Sequence, residues 1–414
     1  MNVVRHCRSH TMRLVDLYCG VVRAGRSPTR RRASVPFIPS FRISSQGGMS
    51  AGAIGAGAQV VLGCDSSATP LKLWSSNVGV GGRAVLAKLG TDEITLPPAA
   101  IDLHIHASPP CQALSRARGA VPEAELAEGV ASIRWSLDLV LGRGDCSWSL
   151  ENCNTPAVVA VIDEYATRYP DRVAHAAMDA ADFGACQTRT RCIAGPPAVI
   201  RHLQERAATR RICVREAFEA ASVPLQATHF RNQSTRGGVP CVRSVENLAF
   251  TVCAGHGLTW CDARGATVRV MTARESAVLM GFPTDWRLPA GSRAAQTAAG
   301  NAMCVPLARC IMEAAMATAA VSSMSSPASQ PMEPRDESPS PMQTATTEAA
   351  ESEALRHSEG STHGTRACGG CRKMKKRVRA LEAQMRELYQ RCMPESDSEN
   401  GGLRAMPADV LSCC

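Results

Sequence analysis

A cysteine in a stiff turn is the residue of this 414-residue chain best placed to act as a nucleophile. Cys111 follows two prolines, Pro109 and Pro110, which fix the backbone just before the thiol. The alternating run 101–107 (IDLHIHA) predicts a strand that ends at this turn. Open α/β sheets place their chemistry at strand ends. A Pro-Pro-Cys turn alone also fits a buried structural thiol, so the assignment depends on the other motifs in the chain.

Two further groups of polar residues complete a possible reaction site. Glu151 follows the apolar residues of a predicted strand, where burial would raise the pKa of the carboxyl group and keep a proton available. Arg189 and Arg191 alternate on one strand face, and their positive charge could lower the pKa of a nearby thiol. A thiolate that adds to an aromatic ring places negative charge on it, which a positioned donor relieves. The alternatives are that Glu151 lies in an ordinary turn and that Arg189 and Arg191 lie on a solvated basic strand edge.

Glycine-rich turns and acidic strand ends indicate a nucleotide-like ligand. A first apolar strand runs into Gly20, and after an interruption Gly47 and Gly48 begin a short helix and a second strand that ends at Asp65. Glycine lets the backbone approach a ligand, a helix N-terminus adds donors, and a strand-end carboxylate can hold ribose hydroxyls. Without the other motifs, the glycines also fit a flexible loop.

Strands and helices alternate through the elements that must position these residues. We expect a third strand ending near Asp92, a strand over 101–107, a helix over 123–141 and a strand over 146–150. This alternation predicts an α/β fold with a doubly wound, mostly parallel sheet. Periodicity weakens over 196–250, which indicates a small inserted domain.

Composition limits the class of protein. The net charge of +9 suits an anionic partner without identifying one. The 19 scattered cysteines predict mostly reduced thiols in a nuclear or cytoplasmic protein. The N-terminus lacks the apolar centre of a signal peptide, so a secreted protein is not expected. No run reaches the ~18 apolar residues of a membrane span, and residues 304–324 predict a surface-docked helix.

The C-terminal region predicts little ordered structure. Residues 321–365 are rich in Ser, Pro, Met, Glu and Thr, which is typical of disorder. Apolar residues recur at alternating spacings of four and three over 374–392, which favours either weak self-association through a short coiled coil or a fraying helix. Cys368 and Cys371 hint at zinc, but their irregular surroundings favour free thiols, so no metal is expected.

Taken in chain order, six motifs resemble the cytosine carbon-5 methyltransferase family. They are DLYCG (16–20) joined to GGMSAG (47–52), SPPCQALS (108–115), LENC (150–153), GACQTRTRCIAG (184–195), VRVMTARESAVLMGFPTDW (268–286) and AAGNAMCVPLA (298–308). The resemblance covers residues 12–320. It implies a Rossmann-like fold, S-adenosyl-L-methionine as cofactor and DNA as substrate.

The resemblance also implies a role for each matching residue. Cys111 adds to carbon 6 of a flipped-out cytosine, Glu151 holds N3 and the exocyclic amine, and Arg189 and Arg191 line the pocket. The implied cofactor-binding residues are Asp16, Tyr18, Gly20, Gly47, Gly48, Asp65, Asp92 and Asn301. The implied substrate-binding residues are Gln112, Ser115, Asn152, Gln187 and Thr251, with Asn152 also bracing the loop.

The same resemblance divides the chain. The predicted parts are an N-terminal extension (1–11), a first catalytic part (12–195), a small target-recognition region (196–250), a return to the catalytic domain (251–320), a linker (321–365) and a tail (366–414). Two alternatives stay open: the same chemistry on transfer RNA, and a catalytically silent DNA-binding or regulatory protein. A nuclear location would follow from a DNA substrate alone.

One departure from the family pattern interrupts the first motif. Removal of residues 22–46 gives DLYCGVGGMSAG, a close match to the family turn. Valine codons begin with GT and one glutamine codon ends with AG, so a retained intron is one explanation and a true loop insertion is the other. Smaller departures are Ser108, where the family has glycine, and Cys153, where it has valine.

Overall fold

The computed structural model describes residues 11–18, 47–115, 121–144, 146–207, 210–232 and 241–325. The strands are β1 (Arg13–Leu17), β2 (Gln59–Asp65), β3 (Arg83–Leu86), β4 (Leu103–Ala107), β5 (Ser147–Cys153), β6 (Ala174–Asp179), β7 (Thr190–Gly195), β8 (His229–Arg231), β9 (Val242–Ser244), β10 (Thr259–Cys261) and β11 (Thr267–Val270). The helices are α1 (Gly48–Gly55), α2 (Ala68–Val78), α3 (Glu123–Leu141), α4 (Pro156–Arg168), α5 (Pro197–Glu205), α6 (Val214–Ala220), α7 (Ala273–Leu279), α8 (Ser292–Asn301) and α9 (Val305–Ser325).

A seven-stranded sheet in the order β3-β2-β1-β4-β5-β7-β6 forms the centre of the fold. Its first five strands are parallel, and β7 runs antiparallel to both β5 and β6. The strand order reverses between β1 and β4, and α/β sheets bind ligands beyond the carboxyl ends of the strands at such a switch point. The predicted α/β fold with a doubly wound, mostly parallel sheet is confirmed.

Side chains alternate across this sheet and form two apolar layers. On one face, Leu17 and Ile105 pack with Ile133 and Leu137 of α3. On the other, Leu14 of β1 belongs to the layer that contains Met49 of α1, and α1 packs on α9. Both faces are therefore covered, which is the usual state of parallel strands.

A second sheet, in the order β11-β10-β8-β9, is antiparallel throughout. Its core is aromatic: Trp260 contacts Phe218 and Phe230 in edge-to-face geometry, with ring centroids 5.5 and 6.5 Å away. The sheet extends to Val270. The end predicted for the recognition region, residue 250, therefore falls between the strands of this sheet. Its turns and short strands carry weak periodicity, which explains why the sequence did not locate its second half.

The helical stretch Ser292–Val321 is long and apolar enough to cross a membrane by length and composition, and 44% of its most apolar window is buried. Ile311, Met312 and Ala315 of α9 are fully buried. This helix packs against α1 and α5 as part of the core, more deeply than the predicted surface docking.

Several predicted elements agree with the structure and two do not. The strand expected over 146–150 continues to Cys153 as β5, so Glu151 lies within the strand. Helix α3 covers 123–141, and β2 ends at Asp65, as expected. The third strand was expected to end near Asp92, but β3 ends at Leu86 and Asp92 lies in the loop that follows. The predictions for residues 1–10, for the interruption at 22–46, and for the linker, coiled-coil and zinc segments beyond 325 lie outside the described residues.

Candidate active site

The thiol loop, residues 108–111, begins where β4 ends. The Asn152 side-chain amide donates to the Pro109 carbonyl at 2.9 Å, and its oxygen accepts the Cys153 backbone N–H at 2.8 Å. The Leu114 backbone N–H donates to the Cys111 carbonyl at 3.1 Å, closing the turn after the half-buried thiol. Asn152 is fully buried. It braces the loop as the resemblance implies, with both ends of its amide used inside the protein.

Glu151 and Arg191 form an ion pair beside this loop. The Arg191 Nε lies 2.9 Å from Glu151 Oε1, and the two side chains are 17% and 11% exposed. Strands β5 and β7 run antiparallel, with Arg191 opposite Cys153, which sets the two side chains together. Trp148 and Leu150 alternate onto the opposite face, so the carboxylate is paired with a guanidinium and does not sit in the apolar surroundings expected from its neighbours in sequence.

The same neighbours act on the thiol. Burial raises the pKa of Cys111, and the negative charge of Glu151 raises it further, while Arg191 and Arg189 oppose the shift. A cysteine whose pKa is raised stays a thiol at neutral pH. Its proton therefore has to leave as the sulfur attacks, which requires an acceptor in the complex with substrate.

Arg189 is used differently from its neighbour two residues on. Its guanidinium donates to the carbonyls of Val252, Gly300 and Ala302 at 3.0, 3.0 and 2.9 Å. The residue is 4% exposed, and burial lowers the pKa of Arg189 to about 10. These bonds join the turn before α9 to the segment after β9, and the charge of Arg189 also acts on Cys111, so its place in the catalytic pocket stays a prediction.

Gln187 and Thr251 also hold backbone in place. The fully buried Gln187 amide donates to the Leu279 carbonyl at 2.7 Å and accepts the Val252 N–H at 3.0 Å. The Thr251 hydroxyl donates to the Thr188 carbonyl at 2.6 Å. Both were predicted to bind substrate, but their polar atoms are used within the protein. Buried polar groups need partners, and here the backbone supplies them.

Asp16 lies at the switch point between β1 and β4 and is fully buried. Its Oδ2 accepts the Ser50 hydroxyl at 2.6 Å, and Ser50 in turn accepts the Trp74 indole N–H at 2.9 Å. Its Oδ1 has no hydrogen-bond partner within the described part of the chain. Burial raises the pKa of Asp16 to about 7. A buried, half-satisfied carboxylate of this kind is suited to a cationic or hydrogen-donating ligand.

The glycines of the first motif are required by close packing. Gly47 has a φ of +67° and lies against the Trp74 and Trp286 rings, where a Cβ would be 3.0 and 3.2 Å from ring atoms. A Cβ on Gly48 would overlap with the Met303 carbonyl oxygen. Gly20 lies outside the described residues. The glycines present thus allow helix α1 to begin directly under α9.

The remaining cofactor-binding predictions have mixed outcomes. Asp65 is buried at the end of β2 and accepts the Ser67 N–H at 2.8 Å, which suits a strand-end carboxylate. Asp92 is exposed and accepts the Lys88 N–H at 2.6 Å in its own loop. The Tyr18 hydroxyl lies 3.3 Å from the Ser136 hydroxyl of α3, so the ring is directed into the apolar layer. Asn301 is the last residue of α8.

Gln112 and Ser115 follow the thiol in the loop after β4. Gln112 Oε1 is buried and has no hydrogen-bond partner among the residues that the structure describes. Ser115 is half-buried and precedes residues 116–120, which lie outside the described ranges. Both stay predictions as substrate contacts. Within those ranges, no group of three or more His, Cys, Asp or Glu residues could hold a metal ion.

A chain of buried polar side chains under the thiol loop was missed. His104 and His106 of β4 and Ser149 of β5 are buried, and Ser147 is half-buried. Together with Ser108 they form a hydrogen-bonded row that we name the His-Ser chain: Ser147, His104, Ser149, His106 and Ser108. The alternation of two histidines in an apolar strand was the available signal, but only the neighbouring strand supplies their partners.

Comparison with known proteins gives one family match. Residues 202–317 match the family model described as C-5 cytosine-specific DNA methylase. The matched segment contains α6 to α8 and most of α9, and it supplies the carbonyl groups of Val252, Gly300 and Ala302 that hold Arg189. No curated protein matches the chain.

Solved structures with distant similarity come from bacteria, yeast and insects. One is described as a DNA modification methyltransferase encoded within an E. coli prophage, at 14% identity and a TM-score of 0.47, covering 73% of this chain and 98% of that one. Another is the S. pombe Dnmt2 methyltransferase, at 14% identity and 0.46, covering 76% and 99%. A Spodoptera frugiperda DNMT2 variant is 12% identical with a TM-score of 0.44, covering 74% and 99%. The family match confirms the resemblance for the part of the chain that it covers: residues 202–317, which contain the motifs at 268–286 and 298–308, match the C-5 cytosine-specific DNA methylase model.

Proposed function

We propose that this chain transfers a methyl group to carbon 5 of cytosine in DNA through a covalent adduct with Cys111. The observation that carries the proposal is the arrangement at the ends of β4, β5 and β7. A thiol in a braced turn, a carboxylate and a guanidinium meet there, with Glu151 and Arg191 paired at 2.9 Å. The family matched by residues 202–317 supports cytosine carbon 5 as the target.

The side chains divide the chemistry as follows. Carbon 5 of cytosine is a weak nucleophile, and addition of the Cys111 sulfur to carbon 6 moves electron density onto it. The Cys111 proton passes to the Glu151 carboxylate as the sulfur–carbon 6 bond forms and the π bond between carbons 5 and 6 opens. The Glu151 carboxyl group, protonated in this step, then donates to N3, which takes up the charge that develops on the ring. Once carbon 5 carries the methyl group, its proton leaves to solvent and the sulfur departs from carbon 6, so the ring is restored and Cys111 is freed. Arg191 orients the carboxyl group and keeps it beside the thiol loop.

S-adenosyl-L-methionine fits the residues at the switch point. Asp16, with its unpartnered buried oxygen, and Asp65, at the end of the adjacent strand, would hold the cationic and ribose parts of the cofactor. Gly47 and Gly48 lie at the start of helix α1 beside them. This cofactor supplies an electrophilic methyl group. Asp92 and Asn301 complete the proposed set.

A cytosine within a duplex has to be flipped out to reach such a site. The second sheet and the turns around it, from residue 229 to 270, are the proposed recognition surface. We extend the proposal to a nuclear protein, on the basis of the DNA substrate. Transfer RNA as substrate is the alternative, because the side chains that act on cytosine would be the same.

The test measures transfer of labelled methyl groups from S-adenosylmethionine to duplex DNA and, separately, to transfer RNA. Wild type, Cys111→Ser and a chain lacking residues 22–46 are compared. We expect labelled DNA, and a loss of at least about 10⁴-fold in Cys111→Ser. Labelled RNA alone would move the substrate to transfer RNA. Absence of transfer in every form, with no stabilisation by the cofactor, would support the silent homologue.

The deletion variant also addresses the interruption at 22–46. The Ser50 hydroxyl bonds Asp16 across this segment at 2.6 Å, so the chain leaves and re-enters the same structural motif. We propose a retained intron, since Asp16 and Ser50, on either side of the segment, are in hydrogen-bond contact. Higher activity of the deleted form would support it. Transcripts that keep all of the corresponding nucleotides in most copies would contradict it.

A further inference from the structure

The His-Ser chain crosses the centre of the sheet and ends in the thiol loop. His104 Nδ1 lies 3.1 Å from the Ser147 hydroxyl, and its Nε2 lies 2.8 Å from Ser149. Ser149 lies 2.8 Å from His106 Nδ1, and His106 Nε2 lies 2.7 Å from the Ser108 hydroxyl. All four ring nitrogens therefore have hydrogen-bond partners.

Strand register produces this row. His104 pairs with Ser147 and His106 with Ser149 across the parallel β4–β5 ladder, so each imidazole has a hydroxyl beside it on the same face. Burial lowers the pKa of both histidines to about 3, so the rings are neutral at physiological pH. A neutral imidazole donates with one nitrogen and accepts with the other. His106 thus bonds Ser149 and Ser108 at once and transmits the rigidity of the sheet to the loop.

The loop has a second anchor on its other side. Asn152 bonds the carbonyl of Pro109, one residue after Ser108. Ser108 is 7% exposed and stands two residues before Pro110, which restricts the backbone that leads to the thiol. With its side chain held by His106 and the next carbonyl held by Asn152, the entry to the turn is fixed on two sides.

We propose that His106 and Ser108 are positioning residues that set the Cys111 thiol for attack. The inference rests on the proposed function for its catalytic consequence, but the position of the thiol can be measured without it. Reaction rates are sensitive to such placement, since about 1 Å of misplacement can cost 10²-fold.

Two substitutions of His106 each keep one of its two hydrogen bonds and remove the other. The amide of His106→Asn reaches the place of Nδ1 and keeps the bond to Ser149, leaving Ser108 unpaired. The longer His106→Gln reaches the place of Nε2 and keeps the bond to Ser108. Both lose one buried bond and one ring, so their stabilities should fall by similar amounts. Tyr165→Phe, which removes a 2.7 Å bond to Asp138 between α4 and α3, is the control for loss of a part-buried hydrogen bond elsewhere.

Two readouts are compared in the full chain. One is the rate of methyl transfer to the nucleic acid that the wild type modifies, with kcat separated from the KM for cofactor. The other is the rate of Cys111 alkylation by iodoacetamide, followed by peptide mass spectrometry with the exposed Cys241 as internal reference. Ser108→Ala is measured in parallel.

We expect His106→Asn and Ser108→Ala to lower kcat by about tenfold or more and to change the alkylation rate of Cys111, with the cofactor KM unaltered. His106→Gln and Tyr165→Phe should stay within about threefold of wild type in both readouts. Equal behaviour of the Asn and Gln variants would overturn the proposal. If the wild type transfers no methyl group, the proposed function fails and the alkylation rates alone decide whether His106 positions the thiol.

Discussion

Two arginines of one strand motif, two residues apart, have opposite uses in this molecule. Arg191 pairs with Glu151 at the edge of the thiol site, whereas Arg189 donates three hydrogen bonds to backbone carbonyls in the interior. Nothing in their residue type distinguishes them. The difference comes from their partners: Glu151 on the adjacent strand β5 pairs with Arg191, whereas carbonyl groups from residues 252–302 surround Arg189.

The largest expected effect tests how much Arg189 stabilises the fold. Arg189→Met removes the donor for three buried carbonyls, and we expect the free energy of unfolding to fall by about 3 kcal/mol. Urea denaturation measures it, with Arg191→Met as the matched control at about 1 kcal/mol. Equal losses in the two variants would remove the distinction between the two arginines.

The next largest effect tests the contribution of Arg191 to methyl transfer. Arg191→Met leaves Glu151 without the group that orients it, and we expect methyl transfer to slow by about 10²-fold, or about 2.7 kcal/mol of transition-state stabilisation. Cofactor affinity should stay unchanged, as measured by thermal stabilisation with S-adenosylmethionine. A full-rate Arg191→Met enzyme would show that the ion pair is structural.

Asp16 adds a third case to this comparison. It is a buried carboxyl group with one oxygen that has no hydrogen-bond partner among the described residues. Its pKa of about 7 lies above the ordinary value, so the folded state binds the proton more tightly than the unfolded chain. Stability from this group is complete at low pH and is lost as the pH rises through 7. Relative to Asp16→Asn, wild type should lose about 2 kcal/mol of unfolding free energy between about pH 5.5 and pH 8. Parallel pH profiles for the two proteins would contradict this.

The smallest effect concerns Thr251, which the motif resemblance placed near the nucleic acid. Thr251→Val removes its bond to the Thr188 carbonyl and should cost about 1 kcal/mol of stability. We expect nucleic-acid affinity and its salt dependence, measured by fluorescence anisotropy, to be unaltered. Weaker binding at unchanged stability would restore the substrate role.

The elements of this fold were predictable where the pattern is local. Helix α3 and the end of β2 follow from periodicity, and the thiol turn follows from two prolines after an alternating strand. Glu151 and Arg191, which the resemblance assigned to one site, lie together because their strands are adjacent, and their roles in the reaction stay predictions. Gln187 and Arg189 take their partners from residues 252–302, far along the chain, and no spacing rule gives those contacts. The His-Ser chain depends on the β4–β5 register, which the sequence leaves open.

The close packing of α1 on α9 has a consequence for how the protein is made. Gly48 and Gly52 lie directly against Met303 and Ala308, so the first helix of the fold completes its contacts only with a helix near the end of the domain. During synthesis, the N-terminal strands therefore emerge long before the element that covers them. Such distant closure slows folding and prolongs exposure of apolar surface. A nascent chain stopped before residue 303 would leave the ribosome with this face uncovered, which makes the domain a natural client for chaperones until its last helix arrives.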